Sequence, residues 1–225
     1  MAAGRGERML PLTRAIPKPM APLLSGTLLK YGYEQLHSTI DNICITVGHH
    51  GALLADYSIK LGINTIINSS NKGNAWWIFN SLLKHLDEPV LVLTADNITV
   101  IEYTEIYSDF VNIPNAACML VGVDPLDGVD GDFIFVENDH SSVVTSLSRT
   151  AKSDSYASGI QVLNPSLVNK LCQGPIFKSD SVSFSDVWSS LISSRSLFKS
   201  SIIPKKWFSV DTLAQLSDAE KYIQH

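Results

Sequence analysis

The sequence is short of cysteine, of charge and of long apolar runs, and each shortage closes off a class of protein. Three cysteines occur in 225 residues, Cys44, Cys118 and Cys172. They are odd in number and far apart, so they offer neither a disulfide framework nor zinc-ligand spacing, and a reducing, cytoplasmic setting is expected. Apolar stretches such as Val90 to Leu93, and the longer Ala116 to Val123, fall far short of the roughly 20 residues that cross a bilayer, so no membrane span is expected. The first residues are small and basic rather than apolar, which argues against a signal peptide. Charged residues make up only 17% of the chain and sum to −5, a balance that disfavours a nucleic-acid partner. Gly-x-Ser-x-Gly is absent, as is any Cys/His nucleophile arrangement. No internal repeat or long linker divides the chain.

What is present is a rhythm. With 45% hydrophobic residues the chain can bury one substantial core. Residues 43–47 form a strand candidate ended by Gly48. Residues 52–61 read as a helix, with Leu53, Leu54, Tyr57 and Leu61 on one face. Residues 65–67 are a second strand, and Trp76 to Leu86 a helix with a stripe of Trp76, Phe79, Leu83 and Leu86. Residues 90–94 form a third strand, apolar on both faces as inside a covered parallel sheet. A helix over 103–111 and strands over 116–123 and 133–136 follow. This alternation predicts an α/β fold with a doubly wound sheet. Past Asp124 the pattern loosens: Asp-Gly pairs at 127–128 and 130–131 mark turns, serine is frequent through 141–201, and a closing helix is expected over 213–223. His49 and His50 read as turn residues, and Trp76 and Trp77 as core rather than a cofactor stack.

The most informative stretch is the first, Met1-Ala2-Ala3-Gly4-Arg5-Gly6-Glu7-Arg8-Met9. Two glycines separated by one residue let a loop turn tightly and aim successive N–H groups at one point. Such a nest binds phosphate oxygens, and Arg8 adds a forked positive charge. Pro11, Pro17, Pro19 and Pro22 stiffen the exit and hold Lys18, a compact charge suited to phosphate. The loop is neither a dinucleotide fingerprint, which needs a third glycine, nor a Walker loop, which ends in Gly-Lys-Ser/Thr. A plain glycine-rich terminus is the alternative.

The longer string, Ala-Ala-Gly-x-Gly-x-Arg-Met, then Pro-Leu-Thr, then Pro-Lys-Pro-Met, resembles the signature of the sugar nucleotidyltransferase (nucleotide-sugar pyrophosphorylase) family over residues 1 to 20. Family members carry a few apolar residues before Ala-Ala-Gly, whereas this sequence starts at the loop. The resemblance implies a single Rossmann-like mixed sheet with a small substrate-binding lobe. It makes residues 1–225 one nucleotidyltransferase domain: a nucleotide-binding half (1–123), then an acceptor-binding half with a closing helix (124–225). It also implies that Ala2 and Ala3 contact the base, Gly4 and Gly6 wrap the triphosphate, Arg8 holds the leaving pyrophosphate, and Lys18 binds the α-phosphate and the incoming phosphate.

Further matches extend the resemblance. Asn68 and Gly73 stand where the family reads the base, although an Asn/Gly turn capping the next helix explains them equally. Asp96, after an apolar strand, stands where the family has a metal-binding Asp and where ligands sit in open α/β sheets; a solvated strand end or a helix N-cap is the alternative. Asp211 in Trp207-Phe208-Ser209-Val210-Asp211-Thr212 resembles an Asp-Thr variant of the family's second metal element, while the commoner Asp position is Ser209. An N-cap role is its alternative. Gly159, in Ser158-Gly159-Ile160, resembles a substrate-contacting strand whose usual Tyr is Gln161 here. The implied cofactor is Mg²⁺, held by Asp96 and Asp211, and the implied partners are a nucleoside triphosphate and a phosphorylated small molecule, above all a sugar 1-phosphate. A homo-oligomer is compatible with the sequence. Two rival readings stay open: a cytidylyltransferase for a phosphocholine-like acceptor, favoured by the Asp-Thr ending and the short length, and a non-catalytic nucleotide-binding relative, suggested by Ser209 and the missing apolar strand.

Overall fold

The computed structural model describes residues 1–125, 131–138 and 140–224; the expected turn at 127–128 and residue 130 of the next lie outside them. In chain order the strands are β1 (Pro22–Leu23), β2 (Gly26–Thr27), β3 (Cys44–Val47), β4 (Thr65–Asn68), β5 (Val90–Leu93) and β6 (Asn97–Val100). Then follow β7 (Cys118–Val123), β8 (Phe133–Val136), β9 (Val144–Ser148), β10 (Tyr156–Leu163), β11 (Leu197–Lys199) and β12 (Lys206–Ser209). The helices are α1 (Leu28–Leu36), α2 (Gly51–Leu61), α3 (Trp76–Asn80), α4 (Tyr103–Val111), α5 (Pro165–Leu171), α6 (Phe184–Ser193) and α7 (Leu213–Gln224). This is a mixed α/β fold. The chain forms two compact units, one of residues 1–71, 94–100 and 205–225, the other of residues 72–93 and 101–204.

In the first unit, β3 and β4 pair in parallel, with Ile45 opposite Ile66. Helix α2 crosses between them. It ends at Gly62, whose φ of 100° and N–H bonds to the Ser58 and Ile59 carbonyls make a left-handed stop that a side chain would strain. Leu54 and Ser58 are its buried positions, whereas Leu53 is 40% exposed. That corrects the expected face: the helix is covered along a narrower stripe than the apolar count suggested. A second core gathers Met9, Leu23, Leu28, Ile98, Val210 and Ala219. Ile98 comes from β6 and Val210 follows β12, which pair antiparallel from Lys206↔Val100 to Ser209↔Asn97. This two-stranded ribbon was not visible in the sequence, because each strand is four residues long and its partner lies over a hundred positions away.

The second unit is built on a six-stranded sheet. Strand β10 is its spine, antiparallel to β5 through Leu163↔Val90 and to β7 through Leu163↔Cys118, while β11 runs parallel to β7. Strand β5 was expected inside a parallel sheet; its pairing with β10 is antiparallel. Of its four residues Val92 alone is buried and the others are half-buried, so a uniformly apolar sequence does not report strand direction. The expected helix over 76–86 is also corrected. It breaks at Ser81, whose backbone is extended (φ −115°, ψ 173°) and whose hydroxyl accepts the Leu83 N–H, opening a short 3₁₀ turn over Leu82–His85. The buried residues of α3 are Trp77 and Ile78 rather than Trp76 and Phe79. Trp76 is half-buried, donates to Asp180 at 3.2 Å and carries the Lys72 ammonium 5.5 Å above its ring.

Two glycines of this unit are fixed by space or strain. Gly159 sits at φ 82° in the irregular part of β10 between Ala157 and Gln161, where the register with β7 shifts. Gly73 donates its N–H to the Asp180 carbonyl at 2.7 Å, and a Cβ there would lie 1.9 Å from the Val182 carbonyl oxygen. Gly73→Ala should therefore destabilise the protein by about 3 kcal/mol, the upper range for overpacking, measured as a lowered urea midpoint at unchanged m-value.

Candidate active site

The site is built from the start of the chain. Residues 1–3 are held on both sides by backbone bonds: Ala95 N–H donates to the Met1 carbonyl at 3.0 Å, and His49 N–H to the Ala3 carbonyl at 3.1 Å. Ala2 N–H reaches the Thr46 hydroxyl at 3.3 Å. A Cβ on Gly48 would stand 2.5 Å from the Ala3 carbonyl oxygen, so that glycine is needed for the close approach. The loop then turns at Gly6, in the left-handed region with φ 63°. A side chain there would press on Thr13 and Lys18, each 3.0 Å from an added Cβ. The buried Thr13 hydroxyl donates to the Gly6 carbonyl at 2.9 Å and ties the loop down. Met9, fully buried, anchors its far end in the core.

Lys18 opens a 3₁₀ turn over Lys18–Met20 set by Pro17 and Pro19. Its ammonium donates to Asp96 Oδ2 and to Asp211 Oδ1, both at 2.7 Å. Arg8 meets the same Asp211 Oδ1 at 2.9 Å. Lys18 and Asp211 are nearly buried, each side chain 12% exposed, while Arg8 at 57% reaches in from solvent. Burial alone would raise the Asp211 carboxyl, but the hydrogen bond and charge of Lys18, the charge of Arg8 and the Ser209 hydroxyl outweigh it and hold the group below its ordinary 3.8.

The β6–β12 ribbon brings the carboxylates together. With Asn97 opposite Ser209, Asp96 and Asp211 lie at the same end of the ladder, and Val210 N–H donates to the Asp96 carbonyl at 3.0 Å. Asp211 is no helix cap. Thr212 fills that role, its hydroxyl accepting the Gln215 N–H at 3.2 Å. Ser209 donates to Asp211 Oδ2 at 3.2 Å, so the serine in the commoner acidic position supports the aspartate two residues on.

A cavity of about 430 Å³ is lined by Ala2, Gly4, Gly6, Arg8, Lys18, Asp96 and Asp211 among others. Seven of the sequence-based candidates thus share one space. Ala3 faces Gly48 and His49 instead. Asn68 belongs to the same unit, is exposed, and accepts the Ser70 N–H at 3.0 Å in a local turn. Gly73 and Gly159 belong to the second unit. The buried Gln161 accepts from Trp188 Nε1 at 3.0 Å and from the Cys118 thiol, which packs it into the core. Arg5, Glu7 and Pro19 also line the cavity; the first two were marked only by their spacing from the loop glycines, and Pro19 by its place beside Lys18.

Two carboxylates converging on one ammonium already clasp a cation, and hard oxygen donors suit Mg²⁺, which keeps several waters. Among the described residues no group of three His, Cys, Asp or Glu side chains suits a metal; Asp96 and Asp211 are two carboxylates that could share one. Among the described residues no helix is long and apolar enough to cross a membrane.

A family model described as "Nucleotidyl transferase" matches residues 1–225. A UTP–glucose-1-phosphate uridylyltransferase of Pseudomonas aeruginosa is 40% identical over 73 residues, 32% of this chain and 26% of that protein. A solved UDP-glucose pyrophosphorylase in complex with UDP-glucose superposes with a TM-score of 0.76 at 16% identity, covering 99% of this chain and 96% of that one. The CTP:phosphocholine cytidylyltransferase of Streptococcus pneumoniae gives 0.75 at 17%, with the same coverage. At such identity the structural likeness is one of fold. The matches cover from 14% to 50% of the curated relatives' own lengths, less than two thirds in each case.

Proposed function

The chain belongs to the nucleotidyl transferase family, and from that premise we propose that it transfers a nucleoside monophosphate from a nucleoside triphosphate to a sugar 1-phosphate, releasing pyrophosphate. The observation that carries this reading is the Lys18 ammonium held at 2.7 Å from both Asp96 and Asp211, with Arg8 on the same oxygen, beside a glycine loop. Phosphoryl chemistry of this kind needs little covalent help from protein. Positioning and charge neutralisation do most of the work.

In the proposed reaction an oxygen of the acceptor phosphate attacks the α-phosphorus in line, and the bond to the pyrophosphate oxygen breaks. Gly4 and Gly6 let the loop backbone approach the triphosphate, and Ala2 and Ala3 meet the base. Arg8 neutralises the departing pyrophosphate. Lys18 holds the α-phosphate and the attacking phosphate against their mutual repulsion. Asp96 and Asp211 would hold Mg²⁺, which when bound supplies further neutralisation of phosphate charge. In the structure these four side chains pair with one another, Lys18 with both aspartates and Arg8 with Asp211. Asn68, Gly73 and Gly159 are proposed base and acceptor contacts.

Two features favour a second acceptor class. The Asp211-Thr212 pair resembles the cytidylyltransferase variant of the motif, and a phosphocholine cytidylyltransferase shares the fold. A panel crossing UTP, dTTP and CTP with glucose 1-phosphate and phosphocholine, read as pyrophosphate release, tests both. Turnover with a sugar 1-phosphate is expected. Turnover with phosphocholine alone would move the acceptor to the second class, and nucleotide binding without any turnover would overturn the enzymatic reading.

A further inference from the structure

Gln215, in the first turn of α7, collects several donors on one oxygen. Its Oε1 accepts the Asp211 N–H at 2.8 Å, the Thr212 N–H at 3.0 Å and the Thr212 hydroxyl at 3.3 Å. Its own N–H donates to Thr212 Oγ1 at 3.2 Å. The reciprocal exchange with Thr212 is a capping box, which any helix start can use. The bond to Asp211 is additional. That N–H lies outside the helix, so capping does not call for it, and it belongs to the residue whose carboxylate meets Lys18 and Arg8.

Asp211 is thus fixed from both directions. Before it, the ladder pairs Ser209 with Asn97, and Val210 N–H binds the Asp96 carbonyl at 3.0 Å. After it, Gln215 grips its own N–H. The Ser209 hydroxyl takes Oδ2 at 3.2 Å, and Oδ1 is turned toward the two cations. A carboxylate meant to act against a partner from another strand needs its backbone held this closely, because a shift of about 1 Å can cost two orders of magnitude in rate.

We infer that Gln215 is a positioning residue: through the Asp211 N–H it fixes the Asp211 carboxylate opposite Asp96, at the separation at which the two grip one cation. The inference rests on the proposed role of Asp211 in nucleotidyl transfer. Thr212 supplies a matched control, because Thr212→Ala removes the hydroxyl half of the capping box and leaves the Asp211–Gln215 bond in place.

The test uses the full chain, with Mn²⁺ titrated as the probe by electron paramagnetic resonance and amide exchange followed at Asp211. Gln215→Ala should weaken Mn²⁺ binding about tenfold or more, the scale of losing a residue that orients a metal ligand, and speed Asp211 exchange by a similar factor. Thr212→Ala should lower the thermal midpoint comparably, yet leave Mn²⁺ binding within about threefold and Asp211 exchange slow. If both variants weaken Mn²⁺ binding equally, or Gln215→Ala leaves it unchanged while Asp211→Asn abolishes it, Gln215 is a helix cap and the inference fails alone. If Asp211→Asn binds Mn²⁺ as the unaltered protein does, the reading of Asp211 fails and the inference with it.

Discussion

Replacing Lys18 with Met is expected to change two measurements in opposite directions. Pyrophosphate release should fall by about 10²–10³, the usual cost of losing one group aimed at transition-state charge, because the α-phosphate and the attacking phosphate lose their shared cation. The affinity of the nucleotide-free protein for Mn²⁺ should rise about tenfold, equivalent to ~1.4 kcal/mol. In the unaltered protein the ammonium lies 2.7 Å from each carboxylate and competes for them. Without it, Asp96 and Asp211 lose the cation they share, and Arg8 remains on Asp211 alone. Two like charges about 4 Å apart repel by ~4 kcal/mol at an effective dielectric near 20, so a tenfold gain in metal affinity draws on a fraction of that. Turnover and metal titration on the same variant check the pair. A variant that loses activity without gaining affinity would show that the carboxylates are not the metal's ligands.

Asp211→Asn should be the more damaging of the two aspartate substitutions. Asp96 meets Lys18, whereas Asp211 meets both Lys18 and Arg8, so its loss loosens two cations and one proposed metal ligand together. Pyrophosphate release should drop on the order of 10³, with far-ultraviolet circular dichroism unchanged. The same variant carries a prediction about acid. The Asp211 carboxyl is held below 3.8 in the folded protein, so the folded state favours its ionised form. The resulting stability is fully present above that unfolded-state value and is lost as pH falls through the lower folded one. Unfolding by urea at pH 7 and at pH 3 should therefore show a smaller pH-dependent loss in Asp211→Asn than in the unaltered protein. An identical loss in both would mean that the carboxyl is not preferentially ionised in the fold.

Much of this arrangement could be read from the sequence where the signal is local. Helix α4 and strand β8 have the bounds that periodicity gave them, because turn-forming residues and an apolar repeat mark each end. The loop from Ala2 to Lys18 was legible for a different reason: tight turns and close backbone approaches restrict residue type position by position, and Gly6 at positive φ shows the restriction directly. Asp96 was marked by the apolar run before it. What escaped were partners chosen across long distances. The antiparallel pairing of β5 with β10 leaves no trace in either strand's composition, and the β6–β12 ribbon joins two four-residue strands with nothing in common but their register. Gln215 was missed because its useful contact is to a backbone N–H, which places no demand on any neighbouring side chain. The stripe on α3 failed through the break at Ser81, where one hydroxyl serving as a cap ended a helix that periodicity would have continued.

The ribbon also dictates when the site can come into being. Among the described residues strand β6 has its ladder partner in β12, and Asp211 lies just beyond it. During synthesis, which runs at about 5–20 residues per second, a ribosome must add roughly a hundred further residues after Asp96 before a mate for that strand exists. Until positions 206–211 leave the exit tunnel, the glycine loop, Lys18 and Asp96 wait with a vacant place opposite them. The grouping of Asp96 with Asp211 therefore cannot form until the nascent chain has passed position 211, and a molecule interrupted before position 206 would keep Asp96 and lack the carboxylate that faces it.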